Sequence, residues 1–270
     1  MKPMKIETSL GSIGNEFADE TVEELLNRSR SRVDKALKRI RRPQAAVGLV
    51  KSPLGELLVA MSARGIVLNH YMDGASDLAA KIGKLRLEFD LVEDQRAVKD
   101  VGEEVRLYLA GDAKALRQSV DLTLVAHSFQ RKVLDKLQAV PRGAVVSYQA
   151  LGAAVGAASS ARAVGNTMHD NPVPIYVPCH RVISSDGRIG GYAGGVSRKL
   201  QLLRCEGFQL DNAKPRIPDS VVWGHKGTKI YCRGECRTAA RVDPARVLFF
   251  ADSRQAKRAG MRPCKICRPI

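Results

Sequence analysis

Two groups of residues in this 270-residue chain combine reactive side chains with a spacing that lets them act together. The first is Cys179-His180, held between Pro178 and Arg181. An unassisted thiol has a pKa of about 8.5, so only a few per cent is thiolate at neutral pH; a nearby imidazole and positive charge raise that fraction and create a nucleophile. The competing reading is a buried, inert cysteine in a strand, where adjacent residues point to opposite faces. The second group is Cys232-x3-Cys236 and, after 27 residues, Cys264-x2-Cys267. Two close thiolate pairs joined by a foldable loop can meet at one tetrahedral Zn²⁺. Disulfides are the alternative, and they rarely persist in a reducing compartment. Cys205 falls beside Leu202 and Leu203 and reads as a core thiol, and His70, His127, His169 and His225 are isolated and read as structural.

Both groups need elements to hold them. Between positions 22 and 40, Val22, Leu26, Val33, Leu37 and Ile40 recur at helical spacing among many Arg and Lys residues, and Pro43 closes the pattern. Such a helix either lies on a polyanion or packs as a solvated arm. Positions 47–50, 57–61 and 66–71 are β-rich runs broken by Pro53, Gly55 and Arg64-Gly65, which predicts a meander. A further strand is expected over 89–92, and Val98, Val101, Val105 and Leu109 mark a helix ending before Gly111. No chemistry is visible in 46–112. Further on, Phe129, Val133 and Leu137 share a helical face, and Pro141-Arg142-Gly143 makes a turn. Ser147 can cap a helix holding Leu151 and Val155, and a turn over 156–160 leads into a second helix with Ala161, Val164 and Met168. Two short helices joined tightly outline a helix-turn-helix, and Arg162 opens the second. A last helix, capped by Ser197, runs to Cys205 and is closed by Gly207. Residues 208–228, with Pro215 and Pro218, read as a linker, and Trp223 as a packing anchor of the cysteine-rich module.

Composition bounds the partners. Lys+Arg 44 against Asp+Glu 28 leaves a net charge of +16, which favours polyanions, nucleic acid first. Eleven basic and three acidic residues in 229–270 make the cysteine-rich end the most basic segment. A hydrophobic content of 44% is enough to bury a core, so wholesale disorder is excluded. No apolar run approaches the ~18 residues of a membrane span. The polar first residues lack the apolar core of an export signal. A cytoplasmic protein with no membrane partner is expected; a secreted disulfide scaffold is not.

Pro178-Cys179-His180-Arg181-Val182, preceded by Asn171-Pro172-Val173-Pro174 and followed by Gly191-Tyr192-Ala193-Gly194-Gly195, resembles the active-site signature of the O6-alkylguanine-DNA alkyltransferases. The likeness extends back through Ala161-Arg162-Ala163-Val164-Gly165, Ser147-Tyr148-Gln149 and Phe129-Gln130, and forward to Cys205-Glu206-Gly207. It covers about 46–208, the first part by position and pattern only. The resemblance implies an α+β fold: a basic helical arm (1–45), a small ribonuclease-H-like α/β domain (46–120) and a helical, winged-helix-like active-site domain with the helix-turn-helix (121–208). A linker (209–228) and a zinc module (229–270) follow. The implied activity is direct-reversal DNA repair: a single-turnover methyltransferase that moves the alkyl group of O6-alkylguanine, with O4-alkylthymine left open, to Cys179. A stacked base is out of reach, so the nucleotide must be extruded at a cost of a few kcal/mol. In the implied scheme Arg162, beside Ala161 and Gly165 on the DNA-binding helix, fills the vacated stack. Tyr148 opposes the rotating phosphate and protonates the departing guanine, and Asn171 orients the pocket's hydrogen bonds. His180, working through water and oriented by Glu206, takes the thiol proton. Met168, Val182, Tyr192, Ala193 and Gly194 form the substrate pocket. Leu134 stands where the family often has Trp, and Ala193 where some members have Ser, which implies altered packing or substrate range.

Ile230-Tyr231-Cys232-Arg233-Gly234-Glu235-Cys236, Phe249-Phe250-Ala251 and Ala259-Gly260-Met261-Arg262-Pro263-Cys264-Lys265 resemble the zinc-binding domain of the adaptive-response (Ada-type) protein. This implies Zn²⁺ on Cys232, Cys236, Cys264 and Cys267, no organic cofactor, and Cys232 as a second methyl acceptor, from phosphotriesters. Gly234-Glu235 departs from the usual pair and the segment is short, so a structural, DNA-binding zinc stands beside that reading. The alkyltransferase precedes the zinc module here, and no regulatory helix-turn-helix pair fits between them. The expected partner is double-stranded DNA carrying alkylated bases, bound by a cytoplasmic monomer that is nucleoid-associated when on DNA. The rival functions are recognition of alkylated DNA without repair, and damage-responsive regulation.

Overall fold

The expected meander is present in the computed structural model, which describes residues 21–39, 42–73, 78–210, 222–233, 236, 238, 243 and 246–269. Strands β1 (Gln44–Ser52), β2 (Gly55–Ser62) and β3 (Gly65–Tyr71) pair antiparallel. Strand β4 (Asp90–Glu93) joins β1 in parallel, giving the order β3-β2-β1-β4. The centre of β2 is an unbroken apolar run because both of its faces are buried. Leu57 and Val59 belong with Val98, Val101 and Val105 of α3 (Gln95–Leu109), whereas Leu58 and Ala60 belong with Leu85 of α2 (Leu78–Glu88) and with Phe89. Alternation along a strand makes this two-sided core possible. Helix α2 was not expected from the sequence; Leu85 is its only buried residue, so almost no periodic signal marks it.

Considered by itself, the N-terminal helix α1 (Val22–Arg39) opens on a reciprocal cap. Thr21 N donates to Glu24 Oε2 at 2.7 Å, and Glu24 N donates to Thr21 Oγ1 at 3.3 Å. The rest of the expected arm, residues 1–20 with Ile40 and Arg41, lies outside the described residues.

After the sheet come α4 (Ser128–Gln138), α5 (Tyr148–Ala153), α6 (Ala161–His169) and α7 (Val196–Cys205). A two-residue parallel pair, β5 (Val146–Ser147) with β6 (Val182–Ile183), ties the start of α5 to the segment after Cys179. Ser147 caps α5 as expected, its side chain accepting from Ala150 N at 3.0 Å. The turn between α5 and α6 depends on Gly152: a Cβ there would lie 2.7 Å from the Ala157 carbonyl oxygen. Helix α7 begins one residue earlier than expected. Gly195, at φ 87°, is its N-cap instead of Ser197, and no side chain closes that end.

The last unit of sheet has β7 (Val222–His225), β8 (Ile230–Arg233), β9 (Val247–Phe250) and β10 (Arg262–Pro263) in the order β10-β8-β7-β9, with α8 (Ser253–Arg258). Strand β7 falls within the expected linker, which is a correction. Four residues, one of them a glycine, are too few to show a period, and only pairing with β8 and β9 makes them a strand. Positions 211–221 of that linker lie outside the described residues. Val222, Tyr231, Ala256 and Met261 form a small core on one side. On the other side Trp223, Val247 and Phe249 join the core that includes Val133, Leu134 and Leu137 of α4. Lys136 of α4 clinches the contact: its Nζ donates to Val247 O at 2.7 Å and lies 5.7 Å from the Phe249 ring centroid.

Candidate functional site

The segment from α6 to β6 is rich in proline and carries its own strain. Ile175, β-branched and 1% exposed, sits at φ 77°, a conformation costing on the order of 1–3 kcal/mol. Surrounding bonds over-determine it. Val177 N donates to Val173 O at 2.9 Å, and Asn69 of β3 pins both flanks, its backbone N donating to Pro172 O at 2.8 Å and its Nδ2 to Pro174 O at 3.0 Å. This rigid turn delivers Cys179 into a 3-10 turn, Cys179–Arg181, instead of a strand. The opposite-face objection to Cys-His adjacency therefore does not apply.

Cys179 is 4% exposed and lines a cavity of about 320 Å³ with Asn171, Met168, Tyr71, Tyr192 and Gly194. Asn171 is locked: its Oδ1 accepts from Val173 N at 3.1 Å, while its Nδ2 donates to Val177 O at 3.0 Å and to Cys179 Sγ at 3.1 Å. Burial pushes the thiol pKa up; hydrogen bonds from Asn171 and Tyr192 and the charge of Lys199 oppose the rise without cancelling it. Cys179 therefore rests as a thiol and needs a base.

Behind it, His180 Nε2 lies 2.6 Å from Glu206 Oε1, both side chains fully buried. Burial would raise the Glu206 pKa, but His180, Arg181 and Tyr108 outweigh it and hold the carboxyl at about 2. An ionised carboxylate only accepts, so Nε2 carries the proton and Nδ1 is the basic nitrogen. Nδ1 is buried with no hydrogen-bond partner among the described residues. Burial also lowers the His180 pKa, keeping the ring neutral. Arg181 Nε reaches both Glu206 oxygens at 3.1 and 3.0 Å, and Tyr108 OH donates to Oε1 at 2.5 Å.

Tyr108 stands on α3 and Tyr71 on β3, so the sheet and its packed helix, where no chemistry was expected, supply both a wall of the cavity and a hydrogen-bond donor to the carboxylate. Lys199, also unanticipated, is fully buried; its Nζ donates to Val182 O and Ile189 O at 2.6 Å each and to Gly191 O at 3.2 Å. Burial pulls its pKa down to about 8. These residues carry no local signal, because they become neighbours of the site only through folding.

Of the residues that the resemblance implies for a substrate pocket, Met168, Tyr192, Ala193 and Gly194 line the cavity and Val182 does not. It is fully buried in β6, behind the wall, because its strand pairs with β5. Tyr148 is half-buried at the start of α5; a Cβ on Gly190 would lie 3.5 Å from its hydroxyl, and one on Gly165 4.0 Å from its ring. Burial raises its pKa. Arg162 is exposed on the first turn of α6, with Ala161 and Gly165 half-buried on the same helix.

The four remaining candidates come together: the sulfurs of Cys232, Cys236, Cys264 and Cys267 all lie within 4.8 Å of one another. Four thiolates on one Zn²⁺ at about 2.3 Å would be ~3.8 Å apart, so the donor set and its spacing fit that ion. Backbone amides support the sulfurs, Arg233 N donating to Cys267 Sγ and Ile266 N to Cys264 Sγ, each at 3.4 Å. Cys232 is only 3% exposed, and Cys267 is the most open of the four. Gly234 and Glu235 lie outside the described residues.

Known proteins show the same division. Residues 128–208 match the family described as 6-O-methylguanine DNA methyltransferase, DNA binding domain, and residues 209–269 match the metal binding domain of Ada. The methylated-DNA–protein-cysteine methyltransferase of Methanosarcina acetivorans is 31% identical over 159 residues, which are 59% of this chain and 96% of that protein. The human protein of the same name is 52% identical over 94 residues, 34% of this chain and 44% of its own. The bifunctional transcriptional activator/DNA repair enzyme Ada of Escherichia coli is 36% identical over 159 residues, 58% of this chain and 44% of its own.

Proposed function

Because this chain belongs to the methylated-DNA–protein-cysteine methyltransferase family, we propose that Cys179 is the sulfur that takes the alkyl group of O6-alkylguanine in DNA, reversing the lesion directly. The observation that carries this assignment is the buried Cys179 thiol on the wall of a cavity of base-holding size, with the His180–Glu206 pair next to it in the fold. The sheet domain acts as a ribonuclease-H-like lobe, and α5 with α6 as the helix-turn-helix that meets the duplex. Arg162, exposed at the start of α6, fills the space of the extruded nucleotide.

The thiol proton passes to Nδ1 of His180 by way of a water molecule, and Glu206 holds the imidazolium that forms. Sγ attacks the alkyl carbon; the S–C bond forms as the C–O6 bond breaks. The electron pair departs with guanine, and Tyr148, kept protonated by burial, donates to it. Asn171 and Tyr192 steady the developing thiolate. The thioether has no leaving group, so each molecule acts once, as a monomer on one lesion. Zn²⁺ is the cofactor of the C-terminal module, where it organises a segment with a small core of its own. The burial of Cys232 favours a structural, DNA-binding role for that module over methyl acceptance.

Intact mass after incubation with a duplex containing O6-methylguanine tests the assignment. One added methyl on the Cys179 peptide, absent in Cys179→Ser, is expected. Tight binding to the duplex without any mass gain would replace repair by damage recognition.

A further inference from the structure

The wall of the cavity that holds Cys179 joins the end of β3 to the loop before α7. Tyr71, at the end of β3, is 5% exposed, and its hydroxyl lies 3.1 Å from that of Tyr192 with the rings edge to face. Its ring presses on the loop before α7: a Cβ on Gly194 would stand 2.4 Å from Tyr71 Cε2. Arg198 also holds the ring. The guanidinium lies 4.4 Å from the Tyr71 centroid, where it gains from cation–π attraction. It also donates to Gly194 O at 2.8 Å, to Leu54 O at 2.5 Å and to Asp73 Oδ2 at 2.5 Å. One side chain of α7 thus binds the loop to the β1–β2 turn and to the end of β3.

We propose that Tyr71, clamped by Arg198, sets the size of the O6-substituent the protein accepts, confining it to short alkyl groups. The inference rests on the alkyl-transfer reading of Cys179. The cavity, at about 320 Å³, is near the lower end of ligand pockets and must hold both an extruded base and its substituent. Asn171 is committed to Val173, Val177 and the sulfur, so it cannot retreat from a bulky group, and the Tyr192 hydroxyl is tied to that of Tyr71. Tyr71 belongs to the sheet, and Arg198 removes the freedom that would let its ring swing out.

The test compares rates of transfer from duplexes carrying O6-methylguanine or O6-benzylguanine, read as mass gain on the Cys179 peptide. Wild type should strongly prefer methyl. Tyr71→Ala should raise the benzyl-to-methyl rate ratio about tenfold or more, the scale on which pocket volume discriminates. Arg198→Met, which frees the ring without removing it, should raise the ratio less. Methyl transfer by each variant reports that it has folded. If Tyr71→Ala does not fold, Tyr71→Leu keeps most of the buried apolar volume, and it and Arg198→Met decide the matter. A wild type that takes benzyl as fast as methyl, or a ratio unmoved in the folded variants, overturns the proposal. No methyl transfer by wild type would instead overturn the assignment of Cys179.

Discussion

Glu206 caps α7 and accepts from His180, Arg181, Tyr108 and the Gly143 amide at once, so the carboxylate that orients the base also joins three parts of the fold. Its folded pKa of about 2 lies below the ordinary 4.5. At about 1.4 kcal/mol per unit, the difference corresponds to roughly 3 kcal/mol of stability. Because the folded value is depressed, that contribution is complete above pH ~4.5 and is lost as pH falls toward 2. Urea unfolding of wild type and Glu206→Gln should therefore show a gap that is widest near neutrality and narrows steadily below pH 4.5. A gap independent of pH would mean that folding leaves the carboxyl at its ordinary pKa, without the depression the surrounding donors impose. The residues of this site were legible as types within the Cys-His motif and the Glu206 position. Tyr71, Tyr108, Arg198 and Lys199 were not, since their roles depend on neighbours about a hundred residues away or more, or on a turn of loop.

At the level of elements, α5 and α6 depend on local chemistry that can be read from the chain. Ser147 caps α5 through a bond to Ala150 N, directly before Tyr148. Replacing it with Ala should cost about 1 kcal/mol and lower the melting temperature by a few degrees, with Ser147→Gly milder. Calorimetry measures it, and an unchanged melting temperature would show that tertiary packing alone holds the helix. Helix α2, strand β7 and the Gly195 start of α7 were not legible in the same way. Each is short or weakly periodic, and each takes its form from what it packs against.

For the whole molecule, the zinc module is joined to the alkyltransferase through α4, where Lys136 meets Val247 and Phe249. Trp223, the only tryptophan, is 4% exposed and shares that core, so it reports on the junction. Chelating the zinc should shift its fluorescence to the red and open β7–β10 to amide exchange, while β1–β4 stay protected. An unmoved tryptophan spectrum after confirmed metal loss would show that protein packing, not the ion, holds the module. Cys232, 3% exposed, lies in the same core.

The chain by itself determined what depends on short-range order. Cys179-His180 with its prolines, the two cysteine pairs, the β1–β3 meander, the Ser147 cap and the strongly basic balance all follow from residues near one another in sequence. Tertiary structure decided what depends on distant contacts. It placed Cys179 in a 3-10 turn instead of a strand, drew Tyr71 and Tyr108 into the site, moved Val182 behind the wall, and buried Cys232. The physical reason is that a nucleophile's environment is set by burial and by the charges and donors within a few ångströms. In a folded chain those neighbours come from strands and helices whose separation in sequence says nothing of their separation in space.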